Sequence, residues 1–256
     1  MTEPLLDAAG IEKGYGRISV LKGVDLAIAA GDAHVVIGPN GAGKTTLFKV
    51  LSGELIPDKG VVRFAGHDVT AMPGWRRTRL GIGRTFQVAR TFKDLTTFEN
   101  VVVALEAKRR QTASVFELLR LRPSDTVRKA ARAMLDEFSL DTVADWPAGL
   151  LSHGDKKSLE LAMALAARPR LLMLDEPTAG MAPADRRRSI DLISRLLAKG
   201  EFSLLLTEHD MEVVFGLATS ITVLNYGEVI ATGSPEAVRS NPRVKEVYLG
   251  HDVSAS

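Results

Sequence analysis

Gly38-Pro39-Asn40-Gly41-Ala42-Gly43-Lys44-Thr45-Thr46 decides the fold. The stretch reads G-x-x-x-x-G-K-T, the pattern of a phosphate-binding loop. The run before it, Ala33-His34-Val35-Val36-Ile37, is rich in β-branched apolar residues and predicts a buried parallel strand. The run after it, 46–52, predicts a helix closed by Gly53. Strand, glycine-rich loop and helix in that order make the pattern a site rather than a chance match. The glycines let successive backbone N–H groups turn toward one point, and the helix N-terminus adds its positive end there. Lys44 then supplies a point charge to phosphate oxygens, and the Thr45 hydroxyl is a ligand for Mg²⁺. The bland alternative is a glycine-rich turn with an exposed lysine.

The second informative stretch is Leu171-Leu172-Met173-Leu174-Asp175-Glu176-Pro177. Its apolar run predicts a central strand, with two carboxylates at the C-terminal end, where α/β sheets place ligands. A buried acid pair is costly unless a metal or hydrogen bonds compensate. Asp175 there suits Mg²⁺, and Glu176 suits a general base for an attacking water. The other reading is two acids in a surface turn. Residues 202–206 predict a further buried strand with Thr207-Glu208-His209-Asp210 at its end. His209 is either structural or a member of the same crevice.

Around these strands the chain is ordinary for a soluble globular protein. It has 256 residues, 45% hydrophobic and 25% charged, with a net charge of +2. That charge is too small to argue for nucleic acid. No apolar run approaches the ~18–20 residues of a membrane-spanning helix. No cysteine is present, which excludes disulfides and thiolate metal sites. The first residues, Met1-Thr2-Glu3-Pro4, show neither the basic nor the apolar region of a secretion signal.

Residues 5–11 and 24–28 predict short strands with Lys13-Gly14-Tyr15-Gly16 as a loop between them. Tyr15 either packs on the sheet edge or offers a ring for a base to stack on. Residues 57–60 predict a turn, 61–64 a strand, and 80–86 a strand followed by Gln87. Trp75-Arg76-Arg77-Thr78-Arg79 reads as a solvated basic face. From 92 to 150 the character turns helical. Helices are expected from Glu99 to Arg110, around 114–120, and from Ser124 onward. In the last, Val127, Ala130, Ala131, Met134, Leu135 and Phe138 share a face and Ser124 is a suitable N-cap. Leu151-Ser152-His153-Gly154-Asp155 opens the next helix, 156–167, and reads as a good N-terminus. Pro183 starts another. A hairpin around Gly227 and two short helices starting at Ser234 and Asn241 follow.

The order of phosphate loop, Gln87, LSHGD, LLMLDEP and His209 resembles the nucleotide-binding subunit of ATP-binding-cassette (ABC) transporters over essentially the whole chain. The resemblance implies an α/β fold: a P-loop NTPase (RecA-like) core with an N-terminal antiparallel β subdomain and an inserted α-helical subdomain. Residues 4–250 form one ABC ATPase domain. The same resemblance divides the chain into 1–91 and 159–250, the RecA-like core plus β subdomain, 92–158, the helical insertion with the signature motif, and 251–256, a flexible tail. By the same resemblance the cofactors are ATP and Mg²⁺. Tyr15 stacks on adenine. Gly38, Pro39, Asn40, Gly41, Ala42, Gly43, Lys44, Thr45 and Thr46 bind phosphates. Thr45, Gln87 and Asp175 serve Mg²⁺, and Gln87 also meets the attacking water. Glu176 is the catalytic base, His209 contacts the γ-phosphate, and Ser152 and Gly154 close on ATP held by an opposite subunit.

Within the family the chain is most similar to bacterial branched-chain amino-acid uptake ATPases. Arg84-Thr85-Phe86-Gln87, Phe98-Glu99-Asn100-Val101, Ala179-Gly180-Met181, Glu208-His209-Asp210-Met211 and Val247-Tyr248-Leu249-Gly250 carry that match. Urea-type and lipid-exporting relatives share much of it. The implied partners are an identical or paralogous ATPase subunit, membrane permease subunits docking near 88–100, and indirectly a periplasmic binding protein. Nucleic acid is not among them, since no coiled-coil arm, second cassette or strongly basic face is visible. The implied location is cytoplasmic, on the inner face of the membrane. A non-cassette kinase or GTPase leaves LSHGD before LLMLDEP unexplained. Two departures stand out: His153 and Asp155 replace the glycine and glutamine of the general LSGGQ signature. Ala179-Gly180-Met181-Ala182 also lacks the aspartate usual after the catalytic glutamate.

Overall fold

The computed structural model describes residues 3–84, 91–110 and 123–249. The chain begins with antiparallel strands β1 (Leu6–Tyr15) and β2 (Ile18–Ile28), and β3 (Ala33–Ile37) leads through the glycine loop into α1 (Lys44–Ser52). Next come β4 (Lys59–Phe64), β5 (His67–Asp68), α2 (Gly74–Leu80) and β6 (Ile82–Arg84). Among the described residues the next α-helices are α3 (Thr97–Arg110), α4 (Asp125–Glu137) and α5 (His153–Ala166). The core resumes with β7 (Leu171–Asp175), α6 (Pro183–Ala198), β8 (Ser203–Thr207) and α7 (Met211–Leu217). The hairpin β9 (Ser220–Asn225) and β10 (Glu228–Gly233) and the helices α8 (Pro235–Ser240) and α9 (Pro242–Leu249) complete it.

The larger sheet runs β10-β9-β3-β8-β7-β6, parallel except for the β9–β10 hairpin. A parallel sheet is covered on both faces, so β3, β7 and β8 are buried at every position. Alternation assigns the faces. Val35, Ile37, Leu172, Leu174, Leu204 and Leu206 join the core packed by α3 to α7. Val36, Leu171, Met173 and Leu205 join the core beneath α1 and the smaller sheet. That smaller sheet is antiparallel, in the order β2-β1-β4-β5. Register places the strand ends: Val36 pairs with Thr207, and Thr207 with Asp175, so β3, β8 and β7 finish at one edge.

The start of β3 is anchored by charge and hydrogen bonds. Ser220 and Thr219 donate to the Asp32 carboxylate, and the buried His34 ring lies between Ser220 Oγ at 2.7 Å and Thr222 Oγ1 at 2.8 Å. Burial pushes the Asp32 carboxyl up, but the hydrogen bonds from His34, Thr219 and Ser220 outweigh it and hold the group at about 2.

The structure departs from the sequence reading in several places. β1 continues through Tyr15, which pairs with Ile18, so the expected loop at 13–16 is strand and only Gly16 and Arg17 turn. Helix α7 was not expected at all. The α4 face buries Val127, Ala131, Leu135 and Phe138, but Ala130 is exposed. Gln87, the helix expected around 114–120 and the tail at 251–256 lie outside the described residues.

The basic stretch is a solvated face only in part. Arg76 and Arg79 stack on the exposed Trp75 ring, each 5.0 Å from its centroid. Arg77 is fully buried instead, and burial lowers its guanidinium to about 10. It donates to the carbonyls of Met72, Val50, Leu51 and Thr70, tying α2 to the end of α1. Arg77→Met keeps the volume but removes the guanidinium donors from those carbonyls, of which Val50 O keeps Gly53 N–H. It is expected to cost roughly 3 kcal/mol, a fall in melting midpoint of about 6–12 °C. Thermal unfolding checks this; an unchanged midpoint would show that the guanidinium merely fills space.

Candidate functional site

The loop after β3 is shaped by two close approaches. Gly38 has φ 157°, and a Cβ there would stand 2.1 Å from the Leu224 carbonyl oxygen. Gly43, at φ 104°, caps α1, and a Cβ would come within 3.0 Å of the Val20 carbonyl oxygen. No other residue fits either position. The second contact also presses the loop against β2, two residues from the Tyr15–Ile18 turn. Gly227, itself packed against Val20, donates its N–H to Ala42 O at 3.0 Å. Between the two glycines Ala42 N–H donates to Pro39 O at 3.2 Å, while Asn40 and Gly41 are exposed. Thr45 and Thr46 lie in the first turn of α1, with Thr45 exposed.

Lys44 is buried, 7% exposed, and its ammonium donates to Gly38 O at 2.6 Å and Pro39 O at 3.1 Å. Burial draws its pKa below the usual lysine value, while the negative charges of Glu176 and Asp175 pull it back up. Lysine and acid pair therefore face the same space, as the common edge of β3, β8 and β7 requires.

Asp175, 4% exposed, accepts from Thr207 Oγ1 at 2.7 Å, and its second oxygen lies 3.6 Å from the Arg84 guanidinium at the end of β6. Arg84 in turn reaches Glu54 at 2.7 Å and Ser52 Oγ at 2.8 Å. Glu176 is held in the left-handed region, φ 48°, at a cost of about 1–3 kcal/mol. Its N–H donates to both Thr207 O and Thr207 Oγ1, each at 3.1 Å. His209 Nδ1 stands 3.7 Å from Glu176 Oε1. Glu208, just before it, is 1% exposed and accepts from Thr178 N–H, Thr178 Oγ1 and His209 N–H.

The structure thus brings Lys44, Asp175, Glu176 and His209 together. Tyr15, half exposed, stands at the hairpin tip whose base touches Gly43. Ser152 and Gly154 lie apart, at the start of α5. Ser152 caps the helix, accepting from Asp155 N–H at 3.1 Å and donating to Asp155 Oδ2 at 2.7 Å. Gly154 packs on Asp185, to which a Cβ would come within 3.3 Å. Among the described residues no hydrogen bond or ion pair joins Ser152 or Gly154 to the phosphate loop. Between them, His153 Nε2 lies 3.4 Å from Ala179 O, three residues after Glu176. Sequence reasoning gave no role to Thr207, Glu208 or Arg84. Thr207 and Glu208 carried the one available signal, polar residues beside His209 at a strand's C-terminal end.

No cluster of three or more His, Cys, Asp or Glu arranged to hold a metal occurs among the described residues. A carboxylate and a hydroxyl, with phosphate oxygens and water, nevertheless suit Mg²⁺, which takes few protein ligands. Asp175 at a strand end and the exposed Thr45 fit that chemistry.

A family profile described as ABC transporter matches residues 21–179, and one described as branched-chain amino acid ATP-binding cassette transporter matches 228–254. The high-affinity branched-chain amino acid transport ATP-binding protein BraF of Pseudomonas aeruginosa is 37% identical over 253 residues, 98% of this chain and 99% of the relative. Its counterpart LivG of Escherichia coli K12 is 36% identical over 255 residues, again 98% and 99%. The solved ADP conformation of MJ1267, an ATP-binding cassette of an ABC transporter, has a TM-score of 0.83 at 32% identity, covering 97% of this chain and 100% of that one. With the phosphate loop and strand-end acids in their places and relatives matched end to end, the chain belongs to the ABC transporter family, among its ATP-binding subunits.

Proposed function

We propose that the chain hydrolyses ATP to drive uptake of branched-chain amino acids, or closely related small amide solutes, through separate membrane subunits. One observation carries the hydrolytic part: strand register sets the Lys44 charge against Asp175 and Glu176 at a single sheet edge. The names of BraF and LivG, matched over the whole chain, support the solute class.

Phosphoryl transfer needs positioning and charge stabilisation more than covalent chemistry. The amides of Gly38 to Thr46 and the Lys44 ammonium hold the phosphates, and Tyr15 stacks on adenine. Glu176 takes the proton of the attacking water. His209, beside it, contacts the γ-phosphate, and Gln87 meets the water and the metal. Thr45, Gln87 and Asp175 would hold Mg²⁺, which would supply charge screening on the phosphate oxygens. Ser152 and Gly154, away from this cluster, address ATP on a second subunit. Each chain therefore holds half of each site, and the working unit is a head-to-tail dimer with an identical or paralogous chain.

The membrane subunit docks on the segment at 88–100, of which 91–100 is described. Its backbone runs beside residues 146–149: Thr97 N–H donates to Trp146 O, Ala148 N–H to Leu95 O, and Gly149 N–H to Lys93 O. Asn100 braces it by donating to Phe92, Leu95 and Thr96 carbonyls. Phe92 and Trp146, both exposed, and Leu150 at 72% exposure put large apolar side chains at the surface of these stretches, the kind of anchor a partner buries. No helix among the described residues is long and apolar enough to cross a membrane.

Glu176→Gln should retain ATP binding and lower kcat by roughly 10²–10⁴-fold; steady-state turnover at the wild-type level removes Glu176 as the base. Lys44→Ala should weaken MgATP binding by at least about tenfold, and an unaltered equilibrium affinity counts against the loop. Leu150→Asp should leave ATP binding intact yet abolish co-purification with the membrane subunits. Normal complex yield would move the dock elsewhere.

A further inference from the structure

We propose that Glu208 is a positioning residue for hydrolysis: its carboxylate fastens the loop after Glu176 to the backbone of His209, so that base and γ-phosphate contact keep one relative geometry. The inference rests on the reading of His209 given above.

Glu208 is the residue that follows β8. It is 1% exposed, close to a strand that ends in two further acids. An anion in that place is costly unless donors surround it. Three do. Oε1 accepts from Thr178 N–H at 3.1 Å and Thr178 Oγ1 at 2.7 Å, and Oε2 accepts from His209 N–H at 3.2 Å. Two of the donors belong to Thr178, two residues after Glu176, and the third is the backbone N–H of His209 itself.

Thr207 holds Glu176 from its N–H, and Glu208 holds the same loop two residues later, at Thr178. The left-handed Glu176 is thereby fixed on both sides, which is what a strained catalytic position requires. The loop then continues to Ala179, whose carbonyl meets His153. A neutral amide cannot replace the acid. In Glu208→Gln the single carbonyl can still serve Thr178, but the NH₂ is left facing the His209 N–H, donor against donor.

The test compares Glu208→Gln, His209→Ala and the double variant in the full chain with its membrane subunits, measuring kcat and KM for MgATP. Glu208→Gln should lower kcat by about tenfold or more with KM within about twofold, and add less than about twofold to His209→Ala, because what it sets is the position of the base relative to that residue. Thr178→Ser, which keeps the hydroxyl, should stay within about twofold of wild type, and Thr178→Val should fall several-fold. The inference is overturned if His209→Ala is impaired while Glu208→Gln turns over normally, or if the two losses multiply. Should Glu208→Gln fail to fold, equal turnover in Thr178→Ser and Thr178→Val overturns it instead. If His209→Ala itself turns over normally, the reading of His209 falls together with the inference.

Discussion

The parallel register of β3, β8 and β7 sets where Lys44, Asp175, Glu176 and His209 stand. Because Val36, Thr207 and Asp175 lie side by side, β8 and β7 leave the sheet at their next residue and β3 one residue later, all at the same edge. One strand delivers main-chain amides and a lysine, the second His209, the third two acids. Slipping one strand by a residue would turn its apolar set to the wrong face as well as misplace its site residue. The same burial that stabilises the sheet therefore fixes the geometry of the chemistry. The two cores on either side are what make that register costly to change.

Charge is handled at this edge by mutual support. Asp175 is nearly buried, and Arg84 and Thr207 face its two oxygens. Lys44 loses hydration and regains part of the loss from the acids opposite. Glu176 adopts a backbone conformation that a glutamate seldom takes, and a pair of hydrogen bonds to Thr207 holds it there. A site so arranged has little left to reorganise when charge develops on a phosphate, and preorganisation of this kind is where electrostatic catalysis draws its effect.

Much of this was legible in the sequence because it is local. A strand, a glycine loop and a helix are contiguous, so the phosphate loop and β3 could be read from neighbours along the chain. The run Leu171 to Glu176 announced both a central strand and its acids. Ser124 and Ser152 were readable as caps for the same reason. The fold class and the family followed from the order of such segments. What could not be read was partnership across the sheet. Nothing in Arg77's surroundings along the chain distinguishes it from Arg76 or Arg79; only the fold aims it at carbonyls on α1. Glu208 and Thr178 are separated by a helix and a strand, so their bond has no local trace. Helix α7 did have a signal, Asp210 as an N-cap accepting from Glu212 N–H and an apolar face at Val213, Val214 and Leu217. It was masked by reading the same residues as the end of a strand site.

Ser152 shows where a local reading and a family reading meet on one proton. As a cap its oxygen accepts from Asp155 N–H, and its hydroxyl hydrogen goes to the Asp155 carboxylate. As a phosphate contact it must donate that hydrogen, because a phosphate oxygen only accepts. An anion arriving at this helix start therefore competes with Asp155 for the hydroxyl hydrogen, one acceptor against another at the positive end of α5. The net gain is the difference between two charge-assisted bonds rather than the whole of one. On the proposed role of Ser152, the aspartate in place of the signature's glutamine would thus bear directly on how firmly this half of the site closes. It acts through the serine's hydrogen, independently of how well the helix itself is capped.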